Sequence, residues 1–242
     1  MNNQVLPDRH SSDTKSVQVE QMFDSISPKY DLLNRIMTLG TDKGWRRKAI
    51  KMLEPLHPKI ILDIATGTAD FAIEALLLQP ERIIGIDISN KMLEIGRQKI
   101  KSLHAEQTII LQTANSEAIP FENNYFDAIT IGYGVRNFEN LAIGLQEIYR
   151  VLKPGGALVI LETSQPTSWW QKFCVNLYTT KIVPLIGRLV SNNGIAYKYL
   201  IQSAQNFPYG EAFVQILKQQ NFKTTTCTPL LFGVSSIYFA SK

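Results

Sequence analysis

KIILDIATGTAD, from Lys59 to Asp70, is the stretch on which the reading of the whole chain turns. Its run Ile60–Ile64 is apolar on both sides of the pleat apart from Asp63, which is the pattern of a strand buried on both faces of a parallel sheet. A glycine-bearing turn follows, and then FAIEALLL, a segment of helical composition. Strand, tight turn, helix is the unit that places backbone N–H groups beside a bound ligand. The next strand, RIIGID, ends on Asp87.

The acids select the ligand. A dinucleotide pyrophosphate needs three glycines as G-x-G-x-x-G, and the turn after Ala65 offers only Gly67. Asp63 at the mouth of the turn repels an anion and suits a cation, while Asp87 at the end of the second strand suits a ribose diol. S-adenosylmethionine carries both features, an amino group and sulfonium at one end and a ribose at the other.

Outward from this unit the remaining elements follow in order. SNKMLEIGRQKI reads as a helix capped by Ser89. TIILQTAN is a third buried strand, ending on polar Asn115 and Ser116 at the carboxyl edge of the sheet, where open α/β sheets bind ligands. A fourth strand, Phe126 to Ile131, runs into Gly132 and Gly134, whose missing side chains let backbone pass close to a ligand, and then into Arg136-Asn137. A helix, the turn Lys153-Pro154-Gly155-Gly156 and a fifth strand come next. EAFVQILKQQNF is the last helix, and the chain ends in two β segments joined through Phe232-Gly233.

Two stretches lie outside this alternation. VQVEQMFDSISPKYDLLNRIMTLG has helical spacing broken at Pro28 and is read as two short helices, with Tyr30 and Asn34 on one face. Residues 163–207 exceed what a parallel crossover requires and read as a helical lid. Its Trp169, Trp170, Phe173, Tyr178, Tyr197 and Tyr199 either line an apolar channel, meet a bilayer interface or pack the lid onto its own domain.

Bulk properties narrow the class. A chain of 242 residues with 45% hydrophobic content holds one α/β domain with an added cap. Its net charge of +4 is dispersed, which fits a weak preference for an anionic surface and argues against nucleic acid. Cys174 and Cys227 have neither C-x-x-C spacing nor nearby histidines, so they point to a reducing cytoplasm and away from metal or disulfide frameworks. His10, His57 and His104 read as surface residues. Residues 1–16 read as a disordered polar tail with no signal segment, and residues 17–242 as a single domain with cap elements at 17–53 and 163–207.

Asp63-x-Ala65-x-Gly67-Thr68-x-Asp70 resembles the first motif of class I methyltransferases, in the form used by the menaquinone and ubiquinone biosynthesis C-methyltransferase family. Thr66 and Ala69 depart from it where many relatives have glycine. Phe23-Asp24, Tyr30-Asp31-x-x-Asn34, Gly40 and Trp45-Arg46 resemble the family's N-terminal signature, with Asp42 where many relatives carry histidine; Ala114 to Phe121 matches a third motif. The resemblance implies a Rossmann-like class I methyltransferase fold, a seven-stranded mostly parallel sheet with an antiparallel C-terminal hairpin and a helical cap.

It also implies a reaction, methyl transfer from S-adenosylmethionine to a ring carbon of reduced 2-demethylmenaquinone, giving menaquinol. The benzoquinol precursor of ubiquinone and other lipid-like aromatic acceptors remain as alternatives. Asp63, Gly67, Thr68, Asp87, Asn115, Ser116 and Gly132 are then the residues for the methyl donor, with Asn115 and Ser116 bordering adenine. Arg136, Asn137, Tyr30 and Asp31 are the catalytic candidates, Arg136 as an electrostatic anchor for the quinolate and Asp31 as a proton acceptor. The partners implied are a prenylated naphthoquinol and a transient membrane surface, and a homodimer stays open. Two rivals stand against this reading, a nicotinamide oxidoreductase and a non-catalytic module that binds the same adenosyl compound.

Overall fold

A computed structural model describes residues 5–38, 40–166, 168–170, 173 and 194–242. Strands β1 (Ile60–Ile64), β2 (Arg82–Asp87), β3 (Ile109–Thr113), β4 (Phe126–Gly132), β5 (Leu152–Thr163), β6 (Lys223–Leu230) and β7 (Ser235–Ser241) form one sheet. Its order is β3-β2-β1-β4-β5-β7-β6. The first five strands are parallel, and β7 inserts antiparallel between β5 and β6.

The apolar run of β1 is explained by its central place. Leu62 and Ile64 face one core, with Leu145 and Ile148 of α6 (Leu141–Val151) and Phe213 and Leu217 of α8 (Glu211–Gln219). Ile61 faces the other, with Ala49 and Ile50 of α3 (Asp42–Lys51), Phe71 and Ala72 of α4 (Asp70–Ala75) and Ile100 of α5 (Asn90–Ser102). Every side chain from Ile61 to Ile64 is fully buried. At roughly 25 cal/mol per Å² of apolar surface, such a two-faced strand is the chief anchor of both layers.

The sequence places Lys153 to Gly156 as a turn before the fifth strand; the structure draws it inside the strand's span. Leu152 pairs with Phe126 and Ala157 with Ala128, and the residues between make a detour in which Gly155 adopts φ +78°. Gly156 sits where a Cβ would lie 2.8 Å from the Asp127 carbonyl, so only glycine lets the strand re-enter the ladder.

The first helices cover the carboxyl edge of the sheet. Helix α1 (Lys15–Ile26) ends in a single 3-10 turn that contains Pro28, and α2 (Tyr30–Met37) starts directly after it, as the missing N–H of Pro28 dictates. Val19, Met22 and Ile26 of α1 pack on Met92 of α5 and on Ala196 and Tyr199 of α7 (Gly194–Asn206). The stretch read as a disordered tail is partly tied down. Val5 packs on this cluster, the Asp8 N–H donates to Gln18 Oε1, and Lys15 already belongs to α1. Of the lid residues, Tyr178 and the side chain of Tyr197 lie outside the described residues, while Trp169, Trp170 and Phe173 are exposed. Among the described residues no helix is long and apolar enough to cross a membrane.

Candidate functional site

The order of connection reverses between β1 and β4, and there the loops from their carboxyl ends diverge to leave a cleft of about 680 Å³. Its floor is the turn after β1. Ala65, Gly67 and Ala69 all sit at positive φ, 52°, 53° and 65°, and an L-residue there costs roughly 1–2 kcal/mol. Hydrogen bonds hold the strained turn. The Thr66 N–H reaches the Ile86 carbonyl at 3.0 Å, and the Gly67 N–H reaches Asp87 Oδ2 at 2.8 Å.

Asp63 completes the turn from below. Thr66 Oγ1 and Thr130 Oγ1 donate to its two oxygens at 2.6 Å each, and Thr130 is its register neighbour on β4. On the other side its neighbour is Gly85, where a Cβ would stand 2.9 Å from Thr66 Oγ1 and block the contact. Burial pushes the Asp63 carboxyl up to about 6 against those two hydrogen bonds. Asp63 is completely buried and does not line the cleft, so the sequence argument that it meets a cationic ligand does not match its position. It shapes the turn.

Asp87 does line the cleft. Its Oδ2 accepts from the Gly67 N–H and its Oδ1 from the Ser89 N–H, both at 2.8 Å, and burial again lifts the carboxyl to about 6. The Ile88 N–H also stabilises the charged form, and the carboxylate edge that faces the cleft is a group that suits the hydroxyls of a vicinal diol. Asn115, Ser116 and Gly132 also line this cleft, with Val19, Phe23, Ile88, Met92 and Phe138 as apolar walls. Asn115 Oδ1 is taken by the Glu117 N–H at 2.9 Å. The nearest atom to a Cβ built on Gly67 is Tyr30 Cε1 at 4.0 Å, which leaves the backbone of the turn open to a ligand. The residues present therefore fit an adenosyl group.

The N-terminal cover closes over the turn. Tyr30 lines the cleft, stacks edge-on against Phe23 at 5.8 Å and hydrogen-bonds Asn34; burial raises its phenol above the ordinary value. Asp24 accepts from Ser89 Oγ at 2.6 Å. Asp31 points elsewhere. Its Oδ1 accepts from Thr68 Oγ1 and its Oδ2 pairs with Lys99 Nζ, both at 2.6 Å, and Lys99 also reaches Asp70 at 2.8 Å. Asp31 and Thr68 thus form a clasp between α2, the turn and α5, outside the cleft lining, so the sequence reading of Asp31 as a proton acceptor does not match its place.

Past β4, a short 3-10 turn at Val135–Asn137 carries the other candidates. Arg136 Nη1 donates to the Tyr133 carbonyl and to Glu162 Oε1, each at 2.6 Å. The guanidinium lies behind the cleft rather than on its wall, and Glu162 holds its pKa above the usual value despite burial. Asn137 does line the cleft, and Tyr199 of α7 donates to its Oδ1 at 3.2 Å. Lys15 Nζ donates to the carbonyls of Arg136 and Phe138 at 3.2 and 2.7 Å, and burial brings its ammonium down to about 8.

Sequence reasoning missed Tyr133, Glu162 and Lys15, and named Tyr199 only among the aromatics of the lid. Tyr133 stands at φ 56° between two glycines, with its hydroxyl 3.2 Å from Ser235 Oγ. The signal was present for Glu162, an acid ending a buried strand just as Asp63 and Asp87 do. Tyr199 and Lys15 join the site only through tertiary packing. His10, His57 and His104 are exposed.

Comparison with known proteins places this geometry. The ubiE/COQ5 methyltransferase family matches residues 11–242. A demethylmenaquinone methyltransferase of Bacteroides fragilis is 45% identical over 94% of both chains, and that of Porphyromonas gingivalis is 38% identical over 94% of both. A ubiquinone/menaquinone biosynthesis C-methyltransferase of Geotalea daltonii is 41% identical over 94% of this chain and 97% of its own. Among solved structures, an S-adenosylmethionine-dependent methyltransferase from Thermotoga maritima superposes with a TM-score of 0.62 at 18% identity, covering 92% and 99% of the two chains. That likeness supports the fold alone. With a family match spanning the cover, the turn and the C-terminal strands, the chain belongs to the ubiE/COQ5 methyltransferase family.

Proposed function

We propose that this chain transfers the methyl group of S-adenosylmethionine to a ring carbon of reduced 2-demethylmenaquinone, giving menaquinol. The observation that carries the reading is the pair of demethylmenaquinone methyltransferases at 38–45% identity over 94% of the chain, joined to a cleft lined by Asp87, an acceptor suited to a ribose diol. When bound, the donor supplies an electrophilic methyl on a sulfonium.

The acceptor's redox state follows from chemistry. A quinone ring is electrophilic, whereas a deprotonated hydroquinone pushes electron density onto the adjacent ring carbon. The chain's work is to orient the ring, favour loss of a hydroxyl proton and exclude water. Tyr30 and Asn137 are the polar side chains of the cleft suited to a quinol oxygen. Tyr30 stays a phenol near neutrality, so it donates a hydrogen bond. Arg136, permanently charged and buried behind Tyr133, lowers the energy of negative charge in front of it. Asn115 and Ser116 border the base, and Gly67 and Gly132 admit the donor. Asp31 and Thr68 hold the cover. Exposed Trp169, Trp170, Phe173, Leu231 and Phe232 support contact with a membrane surface, where a prenylated acceptor resides.

The test is incubation of the protein with labelled S-adenosylmethionine and a short-tailed reduced naphthoquinol, in parallel with the matching benzoquinol, followed by mass analysis. Label in the naphthoquinol supports the reading. Label only in the benzoquinol moves it to the ubiquinone route, and label in neither overturns it.

A further inference from the structure

Asn137 lines the cleft with an amide whose two ends have opposite character. Its Oδ1 only accepts hydrogen bonds and its Nδ2 only donates them. A quinol oxygen that is losing its proton gains negative charge and becomes an acceptor, so only the N–H end of the amide stabilises it. Which end Asn137 turns toward the acceptor therefore matters to the reaction.

The orientation is set from outside the cleft. The side-chain nitrogen of Asn137 donates to the Tyr133 carbonyl at 3.4 Å, and because a carbonyl cannot donate, Oδ1 cannot take that place. Oδ1 instead receives the hydroxyl of Tyr199 at 3.2 Å. Burial pushes the Tyr199 phenol up to about 12 against the pull of Arg136, so it keeps its proton and remains a donor around neutral pH. With both ends of the amide engaged, the second N–H of Nδ2 is the donor that the side chain has left to offer.

Tyr199 itself does not line the cleft. It is 1% exposed on α7 and packs with Val19, Met22 and Ile26 of α1 and Met92 of α5. Its ring is fixed by three helices, and its hydroxyl reaches the site only through Asn137. Without that hydroxyl the amide oxygen loses its partner, and the side chain is free to turn.

We propose that Tyr199 is a positioning residue for methyl transfer, one that engages Asn137 Oδ1 so that the amide presents an N–H to the quinol oxygen beside the reacting carbon. The assignment rests on the reading of the cleft as the site of quinol methylation.

The test measures transfer from labelled S-adenosylmethionine to whichever reduced quinol the wild type methylates, for the wild type, Tyr199→Phe, Asn137→Ser and the double variant, with S-adenosylhomocysteine affinity taken by titration. Tyr199→Phe is expected to lower kcat by about threefold to tenfold, the scale of one neutral hydrogen bond, while KM for the quinol and S-adenosylhomocysteine affinity change by no more than about twofold. Asn137→Ser should lose more than Tyr199→Phe does. In the Asn137→Ser background, removing the Tyr199 hydroxyl should cost no more than about twofold, because the amide through which it acts is gone. Equal losses in the two backgrounds would make Tyr199 a packing residue and overturn the assignment. So would an unchanged kcat, a matching fall in S-adenosylhomocysteine affinity, or a smaller loss in Asn137→Ser than in Tyr199→Phe. A wild type that methylates no quinol would instead overturn the reading of the cleft, and this assignment with it.

Discussion

Arg136 Nη1 lies 2.6 Å from Glu162 Oε1 in a pair whose side chains are 8% and 0% exposed. The same carboxylate accepts the Arg136 N–H at 3.4 Å, so Glu162 fixes both backbone and side chain of the turn behind the cleft. Removing one member of such a pair strands a buried charge and costs roughly 3–5 kcal/mol, whereas replacing both by apolar groups is close to neutral. Glu162→Ala is therefore expected to lower unfolding stability in urea by about that amount. Arg136→Met combined with Glu162→Leu should recover most of it while methyl transfer stays lost. A double variant no more stable than the single one would show that the pair itself, not an orphaned charge, sets the stability.

Ala65 and Gly134 press against each other across the top of the cleft. A Cβ on Gly134 would fall 2.4 Å from the Ala65 Cβ, and Ala65 already holds φ +52°. Gly134→Ala should cost about 1–3 kcal/mol of stability through overpacking and displace the turn that carries Gly67. Adding Ala65→Gly removes the clashing methyl and suits the positive φ, so the double variant should regain donor affinity and melting temperature. Thermal melting with and without S-adenosylhomocysteine reads both. If the second substitution fails to rescue, the contact is not what Gly134 protects.

The two buried carboxyls make the empty protein acid-tolerant. Asp63 and Asp87 rise from 3.8 to about 6 because burial disfavours their charge. The folded state then binds these protons more tightly than the unfolded chain. Their contribution to stability is complete below 3.8 and is lost as pH climbs through about 6. Asp63→Asn should flatten the slope of melting temperature against pH between about 4 and 6, while wild-type affinity for the cationic donor rises as pH climbs to about 6 and Asp87 ionises, and levels off above it. A wild-type slope unchanged by Asp63→Asn would contradict the assignment to this residue.

Much of this architecture could be read from residues before any coordinate. Ile60–Ile64 and the strand ending on Asp87 appear with the same bounds in the structure, because two-sided burial leaves a short, isoleucine-rich apolar run bounded by turn residues. Ser89 caps its helix through Met92 as its residue type foretells. What escaped depends on direction rather than on type. Asp63 ends a strand beside Asp87 in the sheet, yet an acid's side of the pleat decides whether it faces ligand or core, and Thr130, which shares its face, comes from a strand 67 residues away. Asp31 and Lys99 likewise meet only after α2 folds onto α5. Tyr133 is legible as the residue between two glycines, but its left-handed backbone is not.

The clasp of Asp31, Thr68, Asp70 and Lys99 gives the last prediction, because it ties the cover to the turn without entering the cleft. The side chains of Lys99 and Asp31 are 27% and 40% exposed, so each ion pair is worth only about 0.2–1 kcal/mol to global stability. Local opening is a different matter, since the same contacts hold a segment with few others of its kind against the sheet. Lys99→Met is thus expected to leave the urea midpoint nearly unchanged while speeding proteolysis within residues 27–41. Because Tyr30 rides on that segment, the donor's off-rate should increase in the same variant. Protection equal to wild type, read by limited proteolysis or by hydrogen exchange of α2, would place the hold on the cover elsewhere, in the contact of Asp24 with Ser89.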